Sequence, residues 1–130
     1  MKDLLMSMQK TQSKPMGFVL VSLLGISAML HGLSGRASDE AAMTEGREIA
    51  ADRNRGNCYS CHMADGAEMT GNGGPPLMQM QLRFPEREVL KAQIADPRTR
   101  NPNTVMPPYG AHGILTEREL DLVVDYIHSL

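Results

Sequence analysis

Apolar residues are spread unevenly along this 130-residue chain. From Met16 to Leu30 they run almost unbroken (MGFVLVSLLGISAML), with Lys2, Lys10 and Lys14 before them and the small residues Gly35 and Ala37 after. A basic head, a short apolar run and a small-residue cleavage site make an export leader, expected here over residues 1–37. A retained membrane anchor is the alternative reading, and His31, Gly32 and the shortness of the run weigh against it.

Beyond the leader, three segments have helical spacing. The first, from about Ala42 to Arg53, is weakly amphipathic, with Met43, Ile49 and Ala50 as its apolar positions. Its Gly46 costs a helix roughly 1 kcal/mol relative to alanine unless close packing requires it. The second follows Phe84, with Pro85 expected at the first helical position, Val89, Leu90 and Ile94 on one face, and Asp96-Pro97 as the stop. In the third, Thr116 and Glu119 have the spacing of a capping box. Leu120, Val123, Val124, Ile127 and Leu130 then recur at helical intervals to the end of the chain.

Two stretches are too rich in Gly, Pro and Asn for regular structure: GNGGPPL at 71–77 and DPRTRNPNTVMPPYGAHG at 96–113. A loop as long as the second usually carries a function. No repeat and no alternating strand pattern is present, so the expected fold is all-α, a small domain over residues 38–130.

Without the leader, nine Lys and Arg face fourteen Asp and Glu, a net charge of about −5 that excludes nucleic acid as an expected partner. A 93-residue domain buries proportionally little surface and often needs a staple. Aromatic residues are few there, namely Tyr59, Phe84, Tyr109 and Tyr126.

The only two cysteines lie in GNCYSCHM, residues 56–63. Cys58, Cys61 and His62 form C-x-x-C-H, the attachment pattern of c-type haem: on a helical turn, residues three apart share a face, so both sulfurs reach one porphyrin edge. The following histidine supplies an axial ligand. A structural zinc site would need four ligands, and His112 and His128 are poorly placed to complete one. A redox dithiol expects a βαβ context that is missing. One covalent haem c is therefore the expected cofactor and supplies the staple.

The second axial ligand is sought among Met43, Met63, Met69, Met78, Met80 and Met106. Met106 is favoured because it sits in the long loop and is followed by Pro107-Pro108, which would hold the thioether rigidly. His112 is its main competitor, then Met78 or Met80. A ligating histidine nearly always donates its other ring N–H to a carbonyl or carboxylate. The Pro75 carbonyl is the expected acceptor, ahead of that of Pro76. Arg83, Arg87, Lys91, Arg98 and Arg100 would form either a basic docking face or an ordinary solvated surface.

With these residues in place, the chain resembles the class I cytochromes c throughout its mature part. GNCYSCH, GNGGPPL, RFPEREVLKAQIADP, NPNTVMPPYG and HGILTERELDLVVDYIHSL together resemble the SoxX family over about residues 44–130. The resemblance implies a periplasmic chain that pairs with a SoxA-type cytochrome as an L-cysteine S-thiosulfotransferase. That heterodimer joins thiosulfate oxidatively to a cysteine of a SoxYZ-type carrier protein, and this chain relays electrons to a downstream cytochrome. It also implies Cys58 and Cys61 as thioether sites, with His62 and Met106 as iron ligands. With both cysteines bound to haem, no thiol is left for sulfur chemistry, so the chain is expected to be inactive alone. A freestanding periplasmic electron carrier is the alternative.

Overall fold

A computed structural model describes the backbone from Phe18 to Leu130 and the side chains from Gly35 onward. The leader expected over residues 1–37 falls almost wholly outside the residues whose side chains are described. Four helices carry the fold: α1 (Phe18–Ala51), α2 (Met80–Arg83), α3 (Arg87–Ala95) and α4 (Glu117–Ser129). Short 3₁₀ turns lie at Cys58–Ser60 and Pro97–Thr99. The only β pairing among the described residues is an isolated parallel bridge between Ala64 and Leu77. The chain divides into two compact units, Met1–Arg36 and Ala37–Leu130. The first contains the N-terminal part of α1, and the second holds the core. Among the described residues no helix is long and apolar enough to cross a membrane.

The most strongly patterned helix, α4, organises that core. Its N-terminus has the expected capping box: Thr116 Oγ1 accepts the Glu119 N–H at 3.3 Å, and Glu119 Oε2 accepts the Thr116 N–H at 2.9 Å. Leu120, Val123, Val124 and Ile127 are almost completely buried on its inner side. On that side α3 contributes Leu90 and Ile94. At the α3–α4 surface, Arg87 and Lys91 both pair with Asp121, at 3.0 and 2.9 Å. Hydrogen bonds from Lys91 and then Arg87 hold the Asp121 carboxyl below the ordinary carboxylate range. Exposed pairs of this kind add little stability and mainly fix helix register.

The C-terminal part of α1 buries Ile49 and Ala50 and crosses α4 at Gly46. A Cβ there would lie 2.2 Å from the Leu122 carbonyl oxygen, so the helix-weakening glycine is the condition of the close approach. Gly46→Ala is expected to destabilise the protein by about 1–3 kcal/mol in denaturant unfolding, because overpacking against backbone outweighs the helical preference for alanine.

Two expectations about element ends are corrected. The first helix extends far beyond Ala42 on its N-terminal side and stops at Ala51, before Arg53. The chain turns there, where the Asp52 carboxylate accepts the Asn54 N–H at 2.8 Å and the Ile49 carbonyl accepts the Gly56 N–H at 3.1 Å. Pro85 does not occupy the first turn of α3, whose N-cap is Glu86 and first residue Arg87. The unforeseen α2 ends at Phe84, whose N–H bonds to the Met80 carbonyl at 2.7 Å, and Pro85 lies in the turn between α2 and α3.

Candidate functional site

The sequence around Cys58 folds as a 3₁₀ turn, entered through Asn57 in the left-handed region at φ 47°. In a 3₁₀ turn residues i and i+3 eclipse, which brings Cys58 and Cys61 to one side. The Cys58 carbonyl accepts the N–H groups of Cys61 at 3.2 Å and His62 at 3.0 Å, so the three residues are held as one unit. The cysteines are not joined to each other. Burial pushes the Cys58 thiol up to about 11, whereas exchange-active thiols are depressed. Among the described residues no three His, Cys, Asp or Glu side chains converge as a metal cluster.

Cys58, Cys61 and His62 lie on the wall of a cavity of about 550 Å³, within the usual size range of cofactor sites. Its remaining wall is largely apolar and draws on α2, α3 and α4 and the chain between them: Leu77, Met80, Phe84, Leu90, Ile94, Val123 and Ile127, with Met106 and Tyr109 from the long loop. The cavity is bordered by the same α3 and α4 residues that form the core, so a flat apolar group placed there would be part of the packing.

His62 is fixed on two sides. Its Nδ1 lies 2.7 Å from the Pro75 carbonyl oxygen. A carbonyl only accepts, so Nδ1 carries the proton and Nε2 keeps its lone pair for a metal. Gly74 lies flat against the ring, where a Cβ would sit 2.4 Å from Cε1 and 2.7 Å from Nδ1. The Gly74 N–H bonds to the Cys61 carbonyl at 2.8 Å, tying the glycine-proline loop to the cysteine turn.

Of the sulfur and nitrogen groups considered as a second ligand, only Met80 and Met106 reach the cavity wall. Met80 is buried, with its sulfur 3.4 Å from Arg83 Nη1. Met106 is half-buried, and its N–H donates to Thr104 Oγ1 at 3.1 Å. Met78 is about half exposed and off the wall. The exposed His112 is also off the wall, with its Nε2 3.2 Å from Arg98 Nη1.

The basic residues expected to cluster do not form one cationic face. Arg87 and Lys91 are paired with α4 carboxylates, Arg98 is paired with Asp96 at 2.8 Å, and the Arg100 guanidinium lies 5.6 Å from the centre of the Phe84 ring. Arg83 belongs to the cavity instead. It borders the wall and donates to the Pro76 carbonyl at 2.6 Å, and among the described residues it makes no ion pair with a carboxylate. Read from the sequence, Arg83 was only one basic residue among five. Gly74 and Tyr109 were missed as site residues, because their contacts are made across loops.

Two thiols on one turn, an imidazole with its Nε2 available, a large apolar cavity and two thioethers on its wall fit a covalently attached haem. A family model for cytochrome c matches residues 43–130. An uncharacterized lipoprotein of Aquifex aeolicus is 33% identical over 76 residues, covering 58% of this chain and 37% of its own length. A cbb3-type cytochrome c oxidase subunit CcoP of Rhodobacter capsulatus is 33% identical over 104 residues, covering 75% of this chain and 32% of its own length. The chain thus spans about a third of the length of these relatives. With its all-α fold and a cavity suited to haem c, this chain belongs to the cytochrome c family.

Proposed function

We propose that this chain is an exported monohaem cytochrome c that serves as the electron-accepting subunit of a SoxAX-type thiosulfate-conjugating complex. The observation that carries the haem reading is the placement of Cys58, Cys61, His62 and Met106 on the wall of one apolar cavity. Bound there, a haem supplies a one-electron ferric/ferrous couple. Cys58 and Cys61 hold its edge by thioether bonds, and His62 ligates through Nε2 with its proton donated to Pro75. Met106 offers a thioether, which favours ferrous iron and raises the potential.

The thiosulfate role rests on the resemblance of NPNTVMPPYG and HGILTE to the SoxX family, and the cysteine inventory agrees with it. Joining thiosulfate to a thiol forms one S–S bond and releases one proton and two electrons. This chain has no cysteine besides the two committed to haem, so the reacting thiols belong to a SoxA-type partner and a SoxYZ-type carrier. With one haem the chain would hold a single electron, so the two electrons would leave through it to a downstream acceptor one at a time. The leader over residues 1–37 would deliver it to the periplasm.

The second reading is a freestanding carrier, which the C-x-x-C-H motif and Met106 fit equally well. Purifying the exported protein with whatever binds it separates the two. The first reading expects a heterodimer with a larger cytochrome, reduced by thiosulfate only when the carrier protein is added. A monomer that thiosulfate and carrier leave oxidised, but that donates electrons to an oxidase, establishes the second.

A further inference from the structure

The stretch from Asn101 to Met106 is loosely tied to the rest of the protein. Val105 is 89% exposed, and the Met106 N–H reaches only the neighbouring Thr104 side chain. Its backbone bonds are local, Asn101 N–H to Pro97 and Thr104 N–H to Asn101, and the loop is next anchored to α3 at Gly110 and Ala111, whose N–H groups bond to the Ala95 carbonyl at 3.1 and 3.0 Å. One hydrogen bond among the described residues leaves it for the cysteine segment. The buried Tyr109 hydroxyl donates to the Gly56 carbonyl at 2.6 Å, across 53 positions of sequence.

The acceptor is itself immobile. The Gly56 N–H is bonded to the Ile49 carbonyl at 3.1 Å, and the backbone packs so tightly on α1 that a Cβ would lie 2.5 Å from that oxygen. Cys58 follows two residues later. The Tyr109 ring also borders the haem cavity, so hydroxyl and ring together join the Met106 loop to the cysteine turn.

We propose that Tyr109 is a positioning residue whose hydroxyl, bonded to Gly56, latches the Met106 loop closed over the haem and sets how firmly Met106 holds the iron. This rests on the reading of Met106 as the distal ligand. An external ligand must displace Met106, so its apparent affinity is weakened by the scarcity of the open state. Removing the latch leaves a buried carbonyl unpaired only while the loop is closed, which favours opening.

The test is imidazole binding to the ferric holoprotein, followed by spectrum, in four proteins: the unaltered chain, Tyr109→Phe, Met106→Ala and the double variant. Phenylalanine keeps the ring and its packing. Tyr109→Phe is expected to raise imidazole affinity about three- to thirtyfold when Met106 is present. It should change affinity less than about twofold when Met106 is already alanine, because no thioether then competes. No change in the Met106 protein overturns the proposal, and so does an equal rise in both backgrounds, which would mean that Tyr109 controls access and not ligation. Retention of the near-red sulfur-to-iron band by Met106→Ala would overturn the ligand reading itself, and the latch with it. Loss of that band with an unresponsive Tyr109→Phe would overturn the latch alone.

Discussion

Replacing Cys58 and Cys61 together by serine is expected to yield a chain from which haem is lost on denaturation and which, once stripped, does not keep its fold. Serine is close to cysteine in size, so the turn at Cys58–Ser60 is little disturbed and the change removes only the thioether bonds. The consequence is large because the cofactor site is bordered by core residues, and a small domain has only about 5–15 kcal/mol of stability to lose. Val123 and Ile127 belong both to the core and to the cavity wall, so collapse of one deforms the other. Haem staining of a denaturing gel and the far-ultraviolet circular dichroism of the stripped chain check this. Retained stain or unchanged helicity in the variant would contradict it.

Gly74→Ala is expected to have the next largest effect for a single methyl group. Gly74 is not among the glycines with positive φ, so alanine meets no backbone strain there. Its Cβ would nevertheless fall inside van der Waals contact of three ring atoms of His62, at 2.4 to 2.8 Å. The Gly74 backbone is pinned to the Cys61 carbonyl, so the imidazole must yield, and the bond from Nδ1 to Pro75 is lost with it. Overpacking and the broken bond together should cost about 2–4 kcal/mol in denaturant unfolding. The ferric spectrum should also become heterogeneous as the ligand tilts. Gly73→Ala is the control: a Cβ there comes no closer than 3.9 Å to the Cys61 side chain, so it should leave both measurements nearly unchanged.

The contrast between Gly74 and Thr116 shows what a sequence can reveal. The capping box of α4 uses residues three apart, and its apolar positions recur within one helix, so local spacing was enough to place both. The Asp96-Pro97 stop of α3 was legible for the same reason. The C-x-x-C-H motif is also local, and it pointed to the haem cavity before any long-range contact was known. Four-residue α2 is too short to show a period, and Pro85 was misplaced because the preceding α2 turn was not foreseen.

The site was legible only in part because its support comes from distant residues. Gly74 against His62 and Tyr109 on Gly56 are contacts between different loops, and Arg83 reaches Pro76 from the short α2 that periodicity does not reveal. Whether the basic residues around α3 form one face or a solvated surface depended on partners out of view; Asp121 and Glu117 of α4 pair two of the five, Arg87 and Lys91. Gly46 is the intermediate case. Its cost to a helix is written in the sequence, whereas the Leu122 carbonyl that requires it is 76 positions away.

The account stands most directly on the covalent state of Cys58 and Cys61 in the protein as exported. Mass spectrometry of the intact chain and of the peptide containing residues 56–63 measures it. The expected result is one haem per chain, with both sulfurs on that peptide in thioether linkage. Two unmodified thiols, or a disulfide between them, in a colourless exported protein would contradict the account.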